Sequence, residues 1–537
     1  MRFAFVSMDE SREGLEQALQ SPQRHPALQT VQEQLVESSW NTFTLVPLAR
    51  AGNLGLIYAF WKASRCGQVF STSGIRGKGR SPYPILNSGR CGLSQLAEAQ
   101  SRGANQGSLR KEITVRHAVA IYVSSVLGAG ILVIPGLAAK AAGPGSLLAW
   151  GFLALASYPF AFTFSSLSAR RPESGGIYSF SKEAFGHGVS TMTAWLFVAW
   201  VVLGAPAITL AAGSYLAYAF PISGPGVFLV ALTILVLAYG VNLGGIRLSG
   251  RVQVVVVAVM IGILTLGVVA SAPSVKPGNF TPLLPDGIAS VGVASALVVW
   301  SFLGYENVSN IAEEFKDPKR DFGRSVTISV VLIGVLYMAV AATVVGTGAF
   351  TAGAGVTPFA VMMSNVFGTY GGGVVSILAV VIIFSTVNAY TAGMGRVVYA
   401  AALDGNLPRF LGKVDPKTGV PRRALMALLA LVVIALVIYY VADVDVQTAF
   451  LATSGAAVLT YVVGSAAGIR LLQHGGLRRA LPWASLAVSL VILPFIGTLL
   501  VASIPVGILG FLYGSFRSRR ERSRGAVVAG STGPGPT

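Results

Sequence analysis

Val126-Leu127-Gly128-Ala129-Gly130-Ile131, with Pro135-Gly136 close behind, interrupts the first long apolar run of this chain near its middle. A second interruption, Trp300-Ser301-Phe302-Leu303-Gly304-Tyr305-Glu306, stands at the middle of another such run. Lipid offers a backbone N–H or C=O no partner. A helix therefore breaks at that depth only where a cavity, a ligand or neighbouring protein satisfies the freed groups. Gly128, Gly130 and Gly304 are the expected breaking positions. Small residues at such places also serve close helix packing. Two breaks in matching places, one beside a glutamate, favour a binding site.

The surroundings support a membrane setting. Of 537 residues 53% are hydrophobic and 11% charged, with a mean hydropathy of +0.68. Soluble domains carry about 25% charged residues, so a soluble enzyme, a disordered scaffold and a disulfide-rich secreted protein are excluded. At roughly 20 apolar residues per crossing, twelve spans are expected. They lie near 116–138, 146–168, 189–218, 226–243, 251–271, 288–312, 325–348, 371–395, 424–441, 447–469, 481–499 and 501–516. The last two share one apolar run divided at Pro505 and Gly507, so eleven is the alternative. The fold class is an all-α integral membrane protein.

Charge sets the orientation. Of the 28 Lys and Arg after residue 108, 26 fall on one side when the loops alternate; only Lys140 and Lys276 fall on the other. By the positive-inside tendency both termini are cytoplasmic and the protein is a multi-pass component of the cell membrane. The net charge of +18 thus reflects orientation rather than nucleic-acid binding. The basic, Gly-rich tail over 517–537 reads as a last anchor. Residues 1–108 lack a sustained period. They read as a disordered cytoplasmic tail, or as an extension upstream of a true start near Leu109 or Val115.

Each break opens a five-helix half, repeat one at about 116–271 and repeat two at about 288–469, with two extra helices at about 481–516. An odd number of crossings inverts the second half relative to the first, and broken helices in corresponding places of inverted halves point to a transporter site at mid-membrane. The half-helix beginning near Ile131 would present free N–H groups and a positive dipole end to an anion. The half-helix ending near Ser301 and Phe302 would present carbonyls to an ammonium. The two cradles match an α-amino acid zwitterion. Glu306 is the one acidic residue within the apolar body of a span and is the candidate for proton coupling. Glu313 and Glu314 sit two turns on, as gate or interface charges.

At these residues the chain resembles the amino acid-polyamine-organocation superfamily. The stretches that carry the likeness are Gly128-Ala129-Gly130-Ile131 with Pro135; Arg171-Pro172-Glu173-Ser174-Gly175-Gly176-Ile177-Tyr178; Trp300 to Glu306 with Glu314-Phe315-Lys316-Asp317-Pro318-Lys319-Arg320; and Arg396 with Asp404-Gly405-Asn406-Leu407-Pro408 and Gly419-Val420-Pro421. The resemblance is greatest to bacterial exporters of methionine and branched-chain amino acids. It implies a LeuT-type five-plus-five inverted repeat over a transporter domain at 109–516. It also implies that the N–H groups of Ala129, Gly130 and Ile131 hold the substrate carboxylate, that carbonyls of Val126, Trp300 and Leu303 hold its amine, and that Trp300 and Tyr390 act as aromatic gates. Ordinary packing is the competing role for Tyr390. Met260 stands where proton-coupled relatives often carry a lysine, and Ser385 and Thr386 where sodium-coupled relatives place hydroxyls, although a hydroxyl pair in a membrane helix more often bonds its own backbone. The coupling ion, H+ or Na+, therefore stays open.

No enzyme constellation, cofactor or metal site is expected. Cys66 and Cys91 both precede the apolar body, and His25, His117, His187 and His474 are far apart. No lysine follows Gly371-Gly372-Gly373 at phosphate-loop spacing. The expected partners are a small amino acid and the lipid bilayer. Rival readings are a permease for cationic amino acids or polyamines, a transporter-like amino acid sensor, and, least favoured, a channel. The absence of a second charge in the apolar body disfavours cationic substrates.

Overall fold

The computed structural model describes residues 122–530 apart from 124–125, 171–175, 246–249, 306–317, 352–353, 417 and 473–475, together with Val115 and Val119. The reading of 1–108, and those of Glu306, Glu313 and Glu314, fall outside the described residues.

Every regular element among the described residues is helical. After a short helical stretch at Tyr122–Val123, the chain runs through α1 (Gly130–Ala142), α2 (Ser146–Arg170), α3 (Gly176–Phe185), α4 (His187–Ala219), α5 (Gly224–Leu243) and α6 (Gly250–Ser271). It continues through α7 (Gly287–Val298), α8 (Pro318–Thr347), α9 (Pro358–Leu403), α10 (Arg422–Val441), α11 (Val446–Leu471), α12 (Ala480–Ile492) and α13 (Ile504–Gly530). Nine helical stretches among the described residues are long and apolar enough to cross a membrane, and Gly287–Phe302 is a shorter apolar helix. This is a multi-pass membrane protein.

The twelve expected spans do not map one to one onto these nine, for local reasons. The first span breaks before Gly130, and its second half runs through the tight turn Gly143–Gly145 almost directly into α2. The described helix of the sixth runs only to its own break, at Phe302. The eighth starts earlier than expected, at Pro358, because a short preceding helix joins it across a kink at Gly368 (φ 66°, ψ −169°). The final apolar run divides near Gly497 (φ 63°) and Ser503 rather than at Pro505 and Gly507, and α13 continues through the basic segment to Gly530. Helix α3 was not expected.

Pro225 and Pro358 stand in the first turns of α5 and α9, where a missing N–H costs nothing. Asp445 caps α11, accepting from Thr448 N–H at 3.0 Å and Thr448 Oγ1 at 2.6 Å, a contact worth about 0.5–2 kcal/mol. Helix α4 is the axis of the bundle, packed against α5, α9, α10, α11 and α13. Helix α1 packs on α7, α2 on α8, α4 on α9 and α5 on α10. In the two five-helix halves read from the sequence these are equivalent elements: first on first, second on second, third on third, fourth on fourth.

The turn after α9 fastens this bundle at one end. Asn406 is fully buried: its Oδ1 accepts from Thr191 Oγ1 at 2.8 Å, its Nδ2 donates to Ser190 Oγ at 3.4 Å, and its carbonyl accepts from Trp195 Nε1 at 3.0 Å. The nearby Lys182–Asp404 pair at 3.3 Å is half exposed and contributes little. Asn406→Ala is therefore expected to destabilise the protein by about 1–3 kcal/mol, lowering the detergent unfolding midpoint, whereas Lys182→Ala leaves it nearly unchanged.

Candidate functional site

The first break is a built structure. Leu127 N–H donates to the Val123 carbonyl, and Gly128 N–H donates to the Val126 carbonyl at 2.7 Å, a three-residue turn about Leu127. Tyr337 Oη donates to the same Val126 carbonyl at 3.0 Å, and Tyr215 Oη donates to the Leu132 carbonyl at 2.6 Å. Tyrosines from α8 and α4 thus supply donors that lipid would not. Ala129 caps α1 with no side-chain bond, and Leu132 N–H turns back to the Ala129 carbonyl at 3.1 Å. Helix geometry gives the N–H groups of Ala129, Gly130 and Ile131 no carbonyl within α1.

The second break faces it. Helix α7 tightens into a 3₁₀ turn over Val299–Phe302, and the chain leaves it extended at Leu303 (φ −78°, ψ 147°). Gly304 then takes φ 126°, a value that side chains strongly disfavour. Leu303 N–H donates to the Trp300 carbonyl at 3.3 Å.

Between the breaks lies a cavity lined from four directions: Val126 to Gly130 from the first break, Trp300, Ser301 and Leu303 from the second, Trp200 to Ile208 from α4, and Thr386 to Thr391 from α9. It leaves about 60 Å³ for the centres of water molecules, room for several waters or a small solute. Among the described residues no charged side chain lines it. Two close approaches shape its wall. A Cβ on Gly130 would lie 2.8 Å from Trp300 Cδ1, 3.0 Å from Trp300 Nε1 and 3.3 Å from Ser301 Oγ. A Cβ on Gly204 of α4 would lie 2.5 Å from Trp300 Cη2 and 2.9 Å from Thr453 Cγ2. The Trp300 indole is thus held between two helices by the absence of side chains, with the Phe450 ring packed perpendicular to it at 5.0 Å between centroids.

Of the residues singled out in the sequence, Val126, Gly128, Ala129, Gly130, Trp300, Leu303, Thr386 and Tyr390 all line this one cavity. Ile131 is fully buried behind it, and Ser385 is buried but absent from the lining. Thr386 Oγ1 donates to the Ile382 carbonyl at 3.0 Å, while its methyl faces Gly128. The Val126 carbonyl already accepts two hydrogen bonds, so its oxygen has no lone pair left over for an amine. Among the described residues no group of His, Cys, Asp and Glu could hold a metal ion.

The contributions of α4, above all Gly204, escaped the sequence reading, as did the Ser301 hydroxyl. Gly204-Ala205-Pro206 is a run of small residues like many in membrane helices and carries no local signal. Ser301 lay inside the quoted break but was weighed only for its backbone.

Comparison with known proteins agrees with this geometry. The profile of the family described as "Amino acid permease" matches residues 113–528. The amino acid permease YecA of Bacillus subtilis is 29% identical over 405 residues, covering 75% of this chain and 96% of that protein. The L-methionine/branched-chain amino acid exporter YjeH of Escherichia coli is 27% identical over 370 residues, covering 68% and 87%. The branched-chain amino acid permease BcaP of Bacillus subtilis is 28% identical over 340 residues, covering 59% and 72%.

Proposed function

Because the chain belongs to the amino acid permease family, we propose that it is a secondary active transporter of small neutral α-amino acids, branched-chain or methionine-like, working in the cell membrane by alternating access. One observation carries the reading: the N-terminus of α1 and the end of the 3₁₀ turn after α7 open into the same cavity, whose lining among the described residues carries no charge. A zwitterion needs a donor set and an acceptor set a few ångströms apart, and an apolar side chain needs walls without charge. The carboxylate is assigned to the N–H groups of Ala129, Gly130 and Ile131. The amine is assigned to the carbonyls of Trp300 and Leu303, since Val126 is committed to Gly128 and Tyr337. The remaining wall, with Val201, Ala205 and Ile208 from α4, takes the side chain. No covalent chemistry is involved; the protein is a carrier, not an enzyme.

The LeuT-type inverted repeat is the architecture we assign, with twelve crossings and both termini cytoplasmic. The packing of α1 on α7, α2 on α8, α4 on α9 and α5 on α10 supports it, as elements related by a twofold axis that runs between them meet their counterparts. Trp300 and Tyr390 are the gates in this scheme. Glu306 is the coupling group we favour over Ser385 and Thr386, because the Thr386 hydroxyl is turned to its own helix.

The test is uptake of labelled leucine and methionine into proteoliposomes under imposed proton and sodium gradients. Saturable uptake, inhibited by neutral amino acids and not by arginine or putrescine, is the expected outcome. Inhibition by arginine in preference to leucine would overturn the substrate class, unsaturable flux would indicate a channel, and binding without flux would indicate a sensor.

A further inference from the structure

Ser301 is 3% exposed, its Oγ has no hydrogen-bond partner, and it lines the cavity 3.3 Å from the position a Gly130 Cβ would take. Its situation differs from that of most hydroxyls in these helices. Thr386, Ser376, Thr209, Thr453 and Thr460 each donate to the carbonyl four residues back in their own helix, the usual way for a membrane helix to satisfy Ser and Thr. At Ser301 the helix has tightened into its 3₁₀ turn, and the hydroxyl faces away from its own backbone towards the first turn of α1. A buried hydroxyl without a partner is an unfavourable arrangement, and persists most readily where something else supplies the partner.

The groups beside it identify that something. Gly130 N–H and Ile131 N–H open from the positive end of α1, and Trp300 Nε1, which can only donate, lies 3.0 Å from the same Gly130 Cβ position. Donors converge on this corner of the cavity, and the ligand completing them is an acceptor. We propose that Ser301 Oγ donates a hydrogen bond to a carboxylate oxygen of the bound amino acid, making Ser301 a side-chain determinant of specificity for solutes that bear a carboxylate.

This inference rests on the reading of the cavity as an amino acid site, and the experiment separates the two. Binding of leucine labelled with 13C at its carboxylate is measured by calorimetry on the purified full-length protein and on Ser301→Ala and Ser301→Cys. The infrared carboxylate bands of the bound ligand are recorded in parallel. A hydrogen bond to a charged group corresponds to about 10- to 100-fold in affinity. Ser301→Ala is therefore expected to raise Kd at least ~10-fold and to shift the antisymmetric carboxylate stretch, with the weaker thiol donor of Ser301→Cys between it and the wild type. A change that merely loosened packing would raise Kd without moving the band. An unmoved band, or an unchanged Kd, in whichever variant folds overturns the role of Ser301 while leaving the site reading intact. Failure of the unaltered protein to bind any neutral amino acid defeats the site reading, and this inference with it.

Discussion

Gly130→Leu is expected to abolish transport, lowering initial uptake at least ~100-fold, while the protein is still made, inserted and monodisperse in detergent. The geometry sets the size of the effect. A Cβ alone at this position would fall 2.8 Å from Trp300 Cδ1 and 3.3 Å from Ser301 Oγ, closer than carbon and oxygen atoms normally approach. Leucine adds three further carbons to a cavity that leaves only about 60 Å³ for the centres of water molecules. The indole cannot retreat, because its far edge already meets α4 where Gly204 leaves no side chain, and the Phe450 ring packs against it at 5.0 Å. The leucine side chain must therefore enter the solute's own space and cover the N–H groups of Gly130 and Ile131. Overpacking of this kind destabilises by about 1–3 kcal/mol, which a bundle this large tolerates. Gly130→Ala should behave as a weaker version, raising KM more than it lowers the maximal rate. Proteoliposome uptake normalised to reconstituted protein, with size-exclusion profiles as the control, reads the result. Unchanged kinetics in Gly130→Leu would place the solute elsewhere.

How much of this was written plainly in the sequence depends on the range of the force involved. The helices follow from apolar runs of membrane length, and the two breaks from residues that cannot continue a helix in lipid. Gly304 does take a conformation reserved for glycine, and the span before Gly130 does stop. Both are local matters, decided within a few residues. The kink at Gly368 and the continuation of α13 to Gly530 were misjudged because composition marks where a helix meets lipid, not where its backbone ends. Least legible were contacts between distant segments. Nothing near Val126 announces Tyr337, and nothing near Leu132 announces Tyr215, yet these hydroxyls supply donors to carbonyls flanking the first break. The neighbour of Thr386 was equally hidden: its hydroxyl bonds its own helix, as membrane hydroxyls commonly do, and its methyl faces Gly128.

Gly204 is the sharpest case of a residue whose role exists only in three dimensions, and its substitution should show it. A methyl on Gly204 would sit 2.5 Å from Trp300 Cη2 and 2.9 Å from Thr453 Cγ2, pinched between the Trp300 indole and α11. Thr453 is fully buried on α11, with its hydroxyl bonded to the Ala449 carbonyl, so the indole is the side that yields. It can move only towards the cavity and Gly130. Gly204→Ala is therefore expected to lower kcat/KM for leucine by about 30-fold, the equivalent of ~2 kcal/mol, and to lower the unfolding midpoint as well, since overpacking destabilises by about 1–3 kcal/mol. The diagnosis lies in the double variant. Trp300→Phe replaces the indole by a smaller ring that does not reach Gly204. On its own it should reduce transport by loosening the cavity wall that the indole forms. Combined with Gly204→Ala it should be no worse than Trp300→Phe alone, because the methyl then has no ring edge to displace. Independent effects would multiply, so the double-mutant cycle distinguishes the two cases. A double variant whose loss equals the product of the single losses would show that Gly204 acts through something other than the seat of Trp300.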